Sequence, residues 1–179
     1  MERGKRTGTY RIYSILALAM LVNSCDKEVY QAPEEQPVYF EYHFANYAWG
    51  YQNHGWLVDA EGTIRRFEFP ESYNQGGHGD YLTLEQLEAN LGQADSVIGE
   101  VGTRKLEKQI GLIQGAADGQ ITKIHRQGAD MGLGVYSCFK YDPEQKAYQI
   151  ILLFADGDCQ QYNKSTDAEK LTEWLKDLL

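Results

Sequence analysis

A run of aromatic side chains interleaved with polar ones, from Tyr39 to Trp56, is the segment of this chain most suited to binding a ligand. Flat rings can stack on a sugar face while nearby amide and imidazole groups hydrogen-bond its hydroxyls, and the same mixture suits a protein-binding surface. Alternate rings of a strand normally fill a core, but eight rings in so short a stretch are difficult to bury together. We therefore predict a ligand-binding site formed by Trp49, Tyr51, Asn53, His54 and Trp56.

Two short fragments contain groups that can bind metal ions. His78-Gly79-Asp80 places two donors on a glycine-rich loop, but a metal site needs three or four convergent ligands, so a solvated loop is the preferred interpretation. Asp156-Gly157-Asp158 spaces acidic oxygens as calcium loops do, yet a tight hairpin turn also favours Asp and Gly. Asp130, which lies near two glycines, is likewise interpreted as a loop residue.

Sequence motifs for catalysis are absent from the chain. It contains no HExxH, no G-x-S-x-G, no phosphate-binding glycine loop and no CxxC. Active sites are often assembled from residues distant in sequence, so the question of catalysis stays open. The sequence leads us to assign no catalytic residue, no metal and no cofactor.

The predicted elements that position these residues begin with strands. Residues Val38–Tyr47 alternate imperfectly and are rich in aromatics, as a half-buried strand would be. Residues Gly55–Phe69 indicate a β-hairpin, in which Asp59 starts the turn and Gly62 takes the left-handed position that ends it. Pro70 to Asp80 then form a loop.

Helical periodicity begins at Thr83, which with Gln86 forms a capping box, and Gly92 can end this first helix. A second helix is predicted from Thr103 to Gln114. Further predicted elements are a short strand at 121–124, an antiparallel β-meander at 135–162 and a C-terminal amphipathic helix that opens with a capping box at 166–169. Antiparallel strands with segregated helices predict an α+β domain.

The N-terminus has the pattern of an export signal that ends in a cysteine. Four basic residues precede the apolar run Ile12–Val22, which has about half of the roughly 20 apolar residues that a membrane-spanning helix requires. The run closes on Val22-Asn23-Ser24-Cys25, which resembles a lipobox, although Asn23 replaces the usual small apolar residue. We expect cleavage before Cys25 and acylation of its thiol with palmitate-type chains. The alternative is a plain signal peptide that happens to contain a cysteine.

A polar, acidic segment follows the cysteine. It contains Pro33 and Pro37, which favour an extended tether. We therefore divide the chain into a signal peptide at 1–24, a lipidated cysteine and flexible tether at 25–37, and a single domain at 38–179. The run Asp26-Lys27-Glu28 resembles the charged signals of some surface-displayed lipoproteins, whereas in other bacteria Asp26 alone indicates inner-membrane retention. The outer membrane is the expected location, on its periplasmic or its surface face.

The charge of the mature chain excludes some partners. Without the signal, which has four Lys and Arg and one Glu, 13 basic residues remain against 25 acidic ones, from totals of 17 and 26. Phosphate backbones would repel such a surface, because neutralisation of phosphates by Lys and Arg supplies most non-specific binding to nucleic acid. We therefore expect no nucleic-acid partner.

Two cysteines, Cys138 and Cys159, remain in the mature domain. An oxidising compartment favours a disulfide between them. The predicted strand register opposes one, because it places Cys138 opposite Ile151 and, after a tight turn at 156–157, Cys159 opposite Phe154 on the other face of the sheet. A disulfide needs Cα atoms within about 7 Å, so free thiols are the preferred of the two alternatives.

Two stretches resemble parts of uncharacterised Gram-negative envelope lipoproteins and secreted domains. They are NYAWGYQNHGWLVDAEGTIRRF and FADGDCQQYNKSTDAEKLTEWL, which combine a "GW-hydrophobic-D-x-x-G" hairpin with a "GD…N-S/T…WL" ending. The resemblance implies an envelope location and this kind of fold. It implies no activity and no catalytic residue.

These observations predict a non-catalytic binding or interaction domain that lipid holds in the cell envelope. The alternatives are a glycan-binding accessory lipoprotein and a hydrolase whose site no motif reveals. Paired carboxylates beside a deep aromatic cleft would favour the hydrolase, whereas a shallow aromatic platform would favour binding. The expected partners are the membrane, through the lipid, and a glycan or an envelope protein.

Overall fold

The computed structural model describes residues 29–33 and 35–179. The predicted signal peptide and Cys25 lie outside the described residues. The strands are β1 (Val38–Asn46), β2 (Gln52–Asp59), β3 (Thr63–Glu68), β4 (Tyr81–Leu82), β5 (Ser96–Glu100), β6 (His125–Arg126), β7 (Leu133–Asp142), β8 (Ala147–Gly157) and β9 (Cys159–Tyr162). The helices are α1 (Leu84–Gly92), α2 (Thr103–Ile110), α3 (Ile113–Ala117) and α4 (Thr166–Lys176).

The strands form one antiparallel sheet in the order β5-β3-β2-β1-β7-β8-β9-β6, and β4 pairs with the first residues of β8. The helices lie outside the sheet, so the predicted α+β class is confirmed. Strands β1, β7 and β8 are in its middle, and all of their residues except Asp156 are buried or half-buried. Side chains of these three strands therefore face protein on both sides of the sheet.

The two faces of the sheet have separate apolar cores. One face presents Phe40, Trp56 and Cys138 to helices α2, α3 and α4, whose contribution includes Leu171 and Trp174. The ring of Trp174 meets that of Phe40 edge to face, with 4.9 Å between centroids. The other face presents Leu57, Phe67, Phe139 and Ile150 to α1 alone. Coverage of the two faces is therefore unequal, with three helices on one and one helix on the other.

The turn between β2 and β3 depends on a buried carboxylate. The carboxylate oxygens of Asp59 accept hydrogen bonds from the backbone of Glu61 and Thr63 and from Arg65 Nε, at 3.1, 2.7 and 2.8 Å. Gly62 has a φ of +87°, and a Cβ there would lie 2.4 Å from the carbonyl oxygen of Val101. The turn therefore requires glycine for both its backbone conformation and its space.

Several predicted helix bounds differ from the structure. The capping box of Thr83 and Gln86 at the start of α1 is confirmed. The predicted helix from Thr103 to Gln114 is divided into α2 and α3, because the chain turns between Ile110 and Ile113. The predicted capping box at 166–169 is wrong: Ser165 is the N-cap of α4, and its hydroxyl accepts a hydrogen bond from the backbone of Asp167.

The strands also differ from the prediction in three places. Sequence patterns predicted neither β4 nor β5, which have two and five residues. The strand predicted at 121–124 is reduced to an isolated bridge between Ile121 and Asn163, followed by β6. These are edge segments with exposed residues, so they lack the burial pattern that periodicity detects.

The chain enters the domain at the end of the sheet opposite the turn between β1 and β2. The hydroxyl of Tyr30 accepts a hydrogen bond from the backbone of Tyr141, near the end of β7, at 2.8 Å. The turn at 47–51 lies beside Leu133, at the start of β7, because Leu133 pairs with Ala45. Eight residue steps of β7 separate these two ends, or roughly 25 Å.

No helix within 29–33 and 35–179 is long and apolar enough to cross a membrane.

Candidate functional site

A cavity of about 490 Å³ lies on the face of the sheet that α1 covers only in part. Its walls are mostly apolar, and include Leu82, Leu133, Val135, Phe139, Ile150 and Leu152. Polar groups enter it at a few points, which include Glu41, His43, Asn74, His78, Ser137 and Gln161. An apolar cavity with a small number of converging polar groups is typical of a small-molecule site, and such sites measure about 300–1,000 Å³.

Strand β1 supplies two ionisable side chains to the lining of the cavity. Glu41 and His43 are two residues apart, so strand alternation places both on the same face of the sheet. Their side chains are only 11% and 12% exposed, and Glu41 Oε1 lies 3.9 Å from His43 Nδ1. This distance is too long for a hydrogen bond between them.

Neighbouring side chains fix the proton of His43 on Nε2. That nitrogen lies 2.6 Å from Asn53 Oδ1, and Asn53 Nδ2 in turn donates to the hydroxyl oxygen of Tyr51 at 2.7 Å. Because the amide nitrogen is occupied as a donor, its oxygen is the acceptor and His43 Nε2 is the donor. Burial lowers the pKa of His43, which favours the neutral ring. The lone pair of Nδ1 is therefore directed to the side of the ring where Glu41 lies.

Glu41 is a buried carboxyl group with few polar neighbours to offset its desolvation. Desolvation raises its pKa to about 7, and the hydroxyl of Tyr73 reduces this effect in part. That hydroxyl is buried and makes no hydrogen bond of standard geometry with any described residue. The ring of Tyr73 stacks on Phe67 and lies 5.2 Å from the ring of His43. Near neutral pH, Glu41 thus changes between its neutral and charged forms.

The fragment His78-Gly79-Asp80 closes the edge of the sheet beside the cavity. His78 Nδ1 accepts a hydrogen bond from the backbone of Leu152 at 3.3 Å, and the carbonyl of Asp80 accepts one from the backbone of Ile150 at 2.8 Å. The Asp80 carboxylate accepts from the backbone of Gly77 at 2.7 Å. One ring nitrogen of His78 and one carboxylate oxygen of Asp80 thus accept hydrogen bonds from the backbone. No group of three or more metal-binding side chains occurs among the residues described.

The five predicted ligand-binding residues do not form one site. Trp56 is 7% exposed and belongs to the core beneath the helices. His54 lies on that same face, where its ring contacts Phe44. Asn53 is buried on the cavity side and holds His43. Of the five, only Trp49 and Tyr51 are exposed, so the structure separates them from the buried Trp56 and Asn53 and from His54.

Exposed rings do cluster at the end of the β1–β2 hairpin. We call Tyr47, Trp49, Tyr51 and Phe69 the aromatic patch; their exposed fractions are 69, 79, 50 and 55%. Tyr51 contacts both Tyr47 and Phe69, with centroid distances of 5.4 and 6.1 Å. Phe69 has a φ of +48°, a conformation that bulky residues rarely adopt. Large exposed rings in one place usually indicate a binding surface.

The aromatic patch adjoins the cavity. An open groove at the sheet end is lined by Tyr47 and shares Ala45, Gln75 and Leu133 with the cavity wall. A hydrogen-bonded chain also joins the two regions, because Tyr51, Asn53 and His43 are linked in that order. A ligand that enters the cavity from this end would therefore pass the patch.

The two cysteines lie on opposite faces of the sheet, as predicted, and both thiols are free. Cys138 pairs with Ile151 as expected and faces the helices, whereas Cys159 lines the cavity. The predicted turn at Asp156-Gly157 is wrong, because β8 continues through Gly157. Asp158 connects the strands, and its carboxylate accepts a hydrogen bond from the backbone of Met131 at 2.7 Å. This hydrogen bond gives Asp158 a structural role in the turn.

The chain matches no protein-family model, and no curated protein or solved structure was found to be similar to it.

The described lining of the cavity does not contain the paired carboxylates that would favour a glycoside hydrolase. Of the described residues that line the cavity, Glu41 is the one carboxylate, and the walls around it are largely aliphatic. A glycosidase would need a second carboxyl group across the cleft. Glu41 and His43 can instead form hydrogen bonds with a polar end of a ligand whose apolar part fills the remaining space.

Two tryptophan variants test this division of the aromatic residues. We expect Trp56→Ala to reduce the free energy of unfolding by about 3–5 kcal/mol, because it removes a buried ring and leaves a cavity. Trp49→Ala should change it by less than about 0.5 kcal/mol, because that ring is exposed. Thermal and urea denaturation of both variants measure the difference. A large loss of stability in Trp49→Ala would contradict its assignment to the aromatic patch.

Proposed function

We propose that this protein is a lipid-anchored, non-catalytic binding protein of the cell envelope, and that its domain takes a small amphipathic ligand into the cavity. The observation that carries the proposal is the cavity of about 490 Å³ with the buried Glu41–His43 pair inside it. Its apolar walls suit a hydrocarbon or aromatic body, and its few polar groups suit one polar end.

The anchoring part of the proposal rests on the sequence around Cys25. The apolar run before it is too short to span a bilayer, and the Val22-Asn23-Ser24-Cys25 pattern resembles a processing site for lipoproteins. One acyl chain binds a membrane reversibly, so stable anchoring requires the multiple acylation that the lipobox implies. The outer membrane, with the domain on its periplasmic or surface face, is the proposed location.

The position of the aromatic patch agrees with such an arrangement. Tyr30, which belongs to the predicted tether, is buried against the domain near the end of β7, whereas the patch and the adjoining groove lie at the other end of the sheet. The cavity mouth would then be turned away from the point of attachment. A ligand, or a glycan or envelope protein that presents it, could approach without obstruction by the tether.

Metabolic labelling tests the anchor. We expect the wild-type precursor to incorporate a fatty-acid analogue and to fractionate with membranes. Cys25→Ala should lose the label and leave the membrane fraction, because the variant has no thiol at the proposed acylation site. Cys138→Ala is the matched control, since that buried thiol should not affect labelling. An unlabelled wild-type protein would contradict the lipoprotein assignment.

Uptake of a neutral dye tests the cavity. Prodan is an uncharged naphthalene dye whose emission shifts to shorter wavelengths in apolar surroundings. We expect saturable, blue-shifted emission with the wild-type domain from residue 29 onward. Val135→Trp should weaken uptake by at least about tenfold, because the larger side chain fills the space between His43 and Ala155.

Trp49→Ala is the control for this experiment, because it alters the aromatic patch and leaves the cavity lining unchanged. Circular dichroism of each variant verifies the fold. Uptake that survives Val135→Trp and is lost in Trp49→Ala would place the ligand on the patch and overturn the cavity as the binding site.

A further inference from the structure

Among the described residues, no lysine or arginine is paired with Glu41, although a buried carboxylate normally has a cationic partner. The residue is 8% exposed, and it extends from the central strand β1 into the cavity. Buried charges in proteins are usually paired, because desolvation of an isolated carboxylate is costly. Within the described part of the chain, no lysine or arginine lines the cavity. The neighbouring ionisable groups are His43, Tyr73 and His78, and none of them is a permanent cation.

The spacing of the two acceptors defines where a partner would fit. Glu41 Oε1 and His43 Nδ1 are 3.9 Å apart, and the Nε2 proton of His43 is committed to Asn53. Nδ1 is therefore an acceptor, like the carboxylate oxygen. One donor atom can lie about 2.8–3.0 Å from both, which is the distance of a charge-assisted hydrogen bond. A nitrogen with several N–H groups would satisfy both acceptors at once.

We propose that the ligand of this cavity is a small amine, whose ammonium group binds between Glu41 Oε1 and His43 Nδ1 while its apolar body contacts the aliphatic walls. This inference rests on the proposed function, because it specifies the ligand class of the same cavity. An ammonium group has three donors and no acceptor, which matches a site that offers a carboxylate and an imidazole lone pair. A metal ion fits less well, because no group of three metal-binding side chains occurs in the described ranges.

The apolar surroundings strengthen this recognition. Phe139 and Val135 lie on β7, next to β1, and Leu152 lies on β8 beyond it, so water has limited access to the ion pair. Attraction between opposite charges is stronger in such an environment than in water. The ligand would supply the positive charge that the protein lacks, and the apolar walls would select the body attached to it.

Equilibrium dialysis with two matched compounds tests the proposal. 2-Phenylethylamine is protonated at pH 8, whereas 2-phenylethanol has nearly the same shape and no charge. We expect the wild-type domain to bind the amine at least about tenfold more tightly than the alcohol, because only the amine forms charge-assisted hydrogen bonds. In Glu41→Gln, which conserves shape and removes the charge, the preference should disappear while Prodan uptake persists.

Glu71→Gln is the matched control, because it removes a negative charge from an exposed residue of the loop beside the cavity. This variant should keep the preference for the amine. Equal affinities of the wild type for both compounds would overturn the amine proposal. Saturable Prodan uptake in the same experiment would still support the cavity as a binding site. Failure of the wild type to bind Prodan and both phenyl compounds would overturn both. A preference that persists in Glu41→Gln would show that the amine binds elsewhere and would also overturn the proposal.

Discussion

The burial of one carboxyl group on the central strand is the constraint on which the candidate site depends. Glu41 lies between Leu57 on β2 and Ser137 on β7, where a sheet of this kind normally has an apolar side chain. A charged group there costs stability unless a partner offsets its desolvation. Glu41 lines a cavity, and a neutral His43 and the hydroxyl of Tyr73 lie beside it.

Unequal coverage of the sheet makes that cavity possible. Three helices fill one face, and their packing around Phe40, Leu171 and Trp174 supplies a continuous core. On the other face, α1 covers only part of the strands, and the loop that contains His78 follows the edge of β8 in place of a further strand. The space bounded by Leu82, this loop and the first seven residues of β7 therefore stays unfilled by the protein's own side chains.

The sequence predicts the α+β class, the strand β1 and the start of α1 well, because each has a strong local signal. It predicts the site poorly. The density of aromatic residues led to the prediction of Trp56 and His54 as site residues, but both face the helices. Glu41 and His43, which line the cavity, are indicated in the sequence by a weaker pattern. Two ionisable residues at alternate positions within an otherwise apolar strand indicate that both face one partly filled side.

Other features depend on contacts between distant segments, and no local pattern contains them. The bulge in β8 between its pairings with Tyr136 and Ser137 changes the face of the later residues. Similarly, the connection of β8 to β9 through Asp158 is set by its hydrogen bond to the backbone of Met131. Counting alternate residues along the strands between Cys138 and Cys159 could predict neither the bulge nor this hydrogen bond.

The protonation of Glu41 is the most direct test of this account, and carbon-13 NMR can follow it. The carboxyl carbons of a glutamate-labelled domain would be titrated from pH 4 to 9, with the Glu41 signal assigned by its absence in Glu41→Gln. The account predicts a pKa of about 7 for this carboxyl group, because burial without a cationic partner disfavours the charged form. A pKa near the ordinary value of 4.5 would mean that Glu41 is solvated or already paired, and it would contradict the central claim.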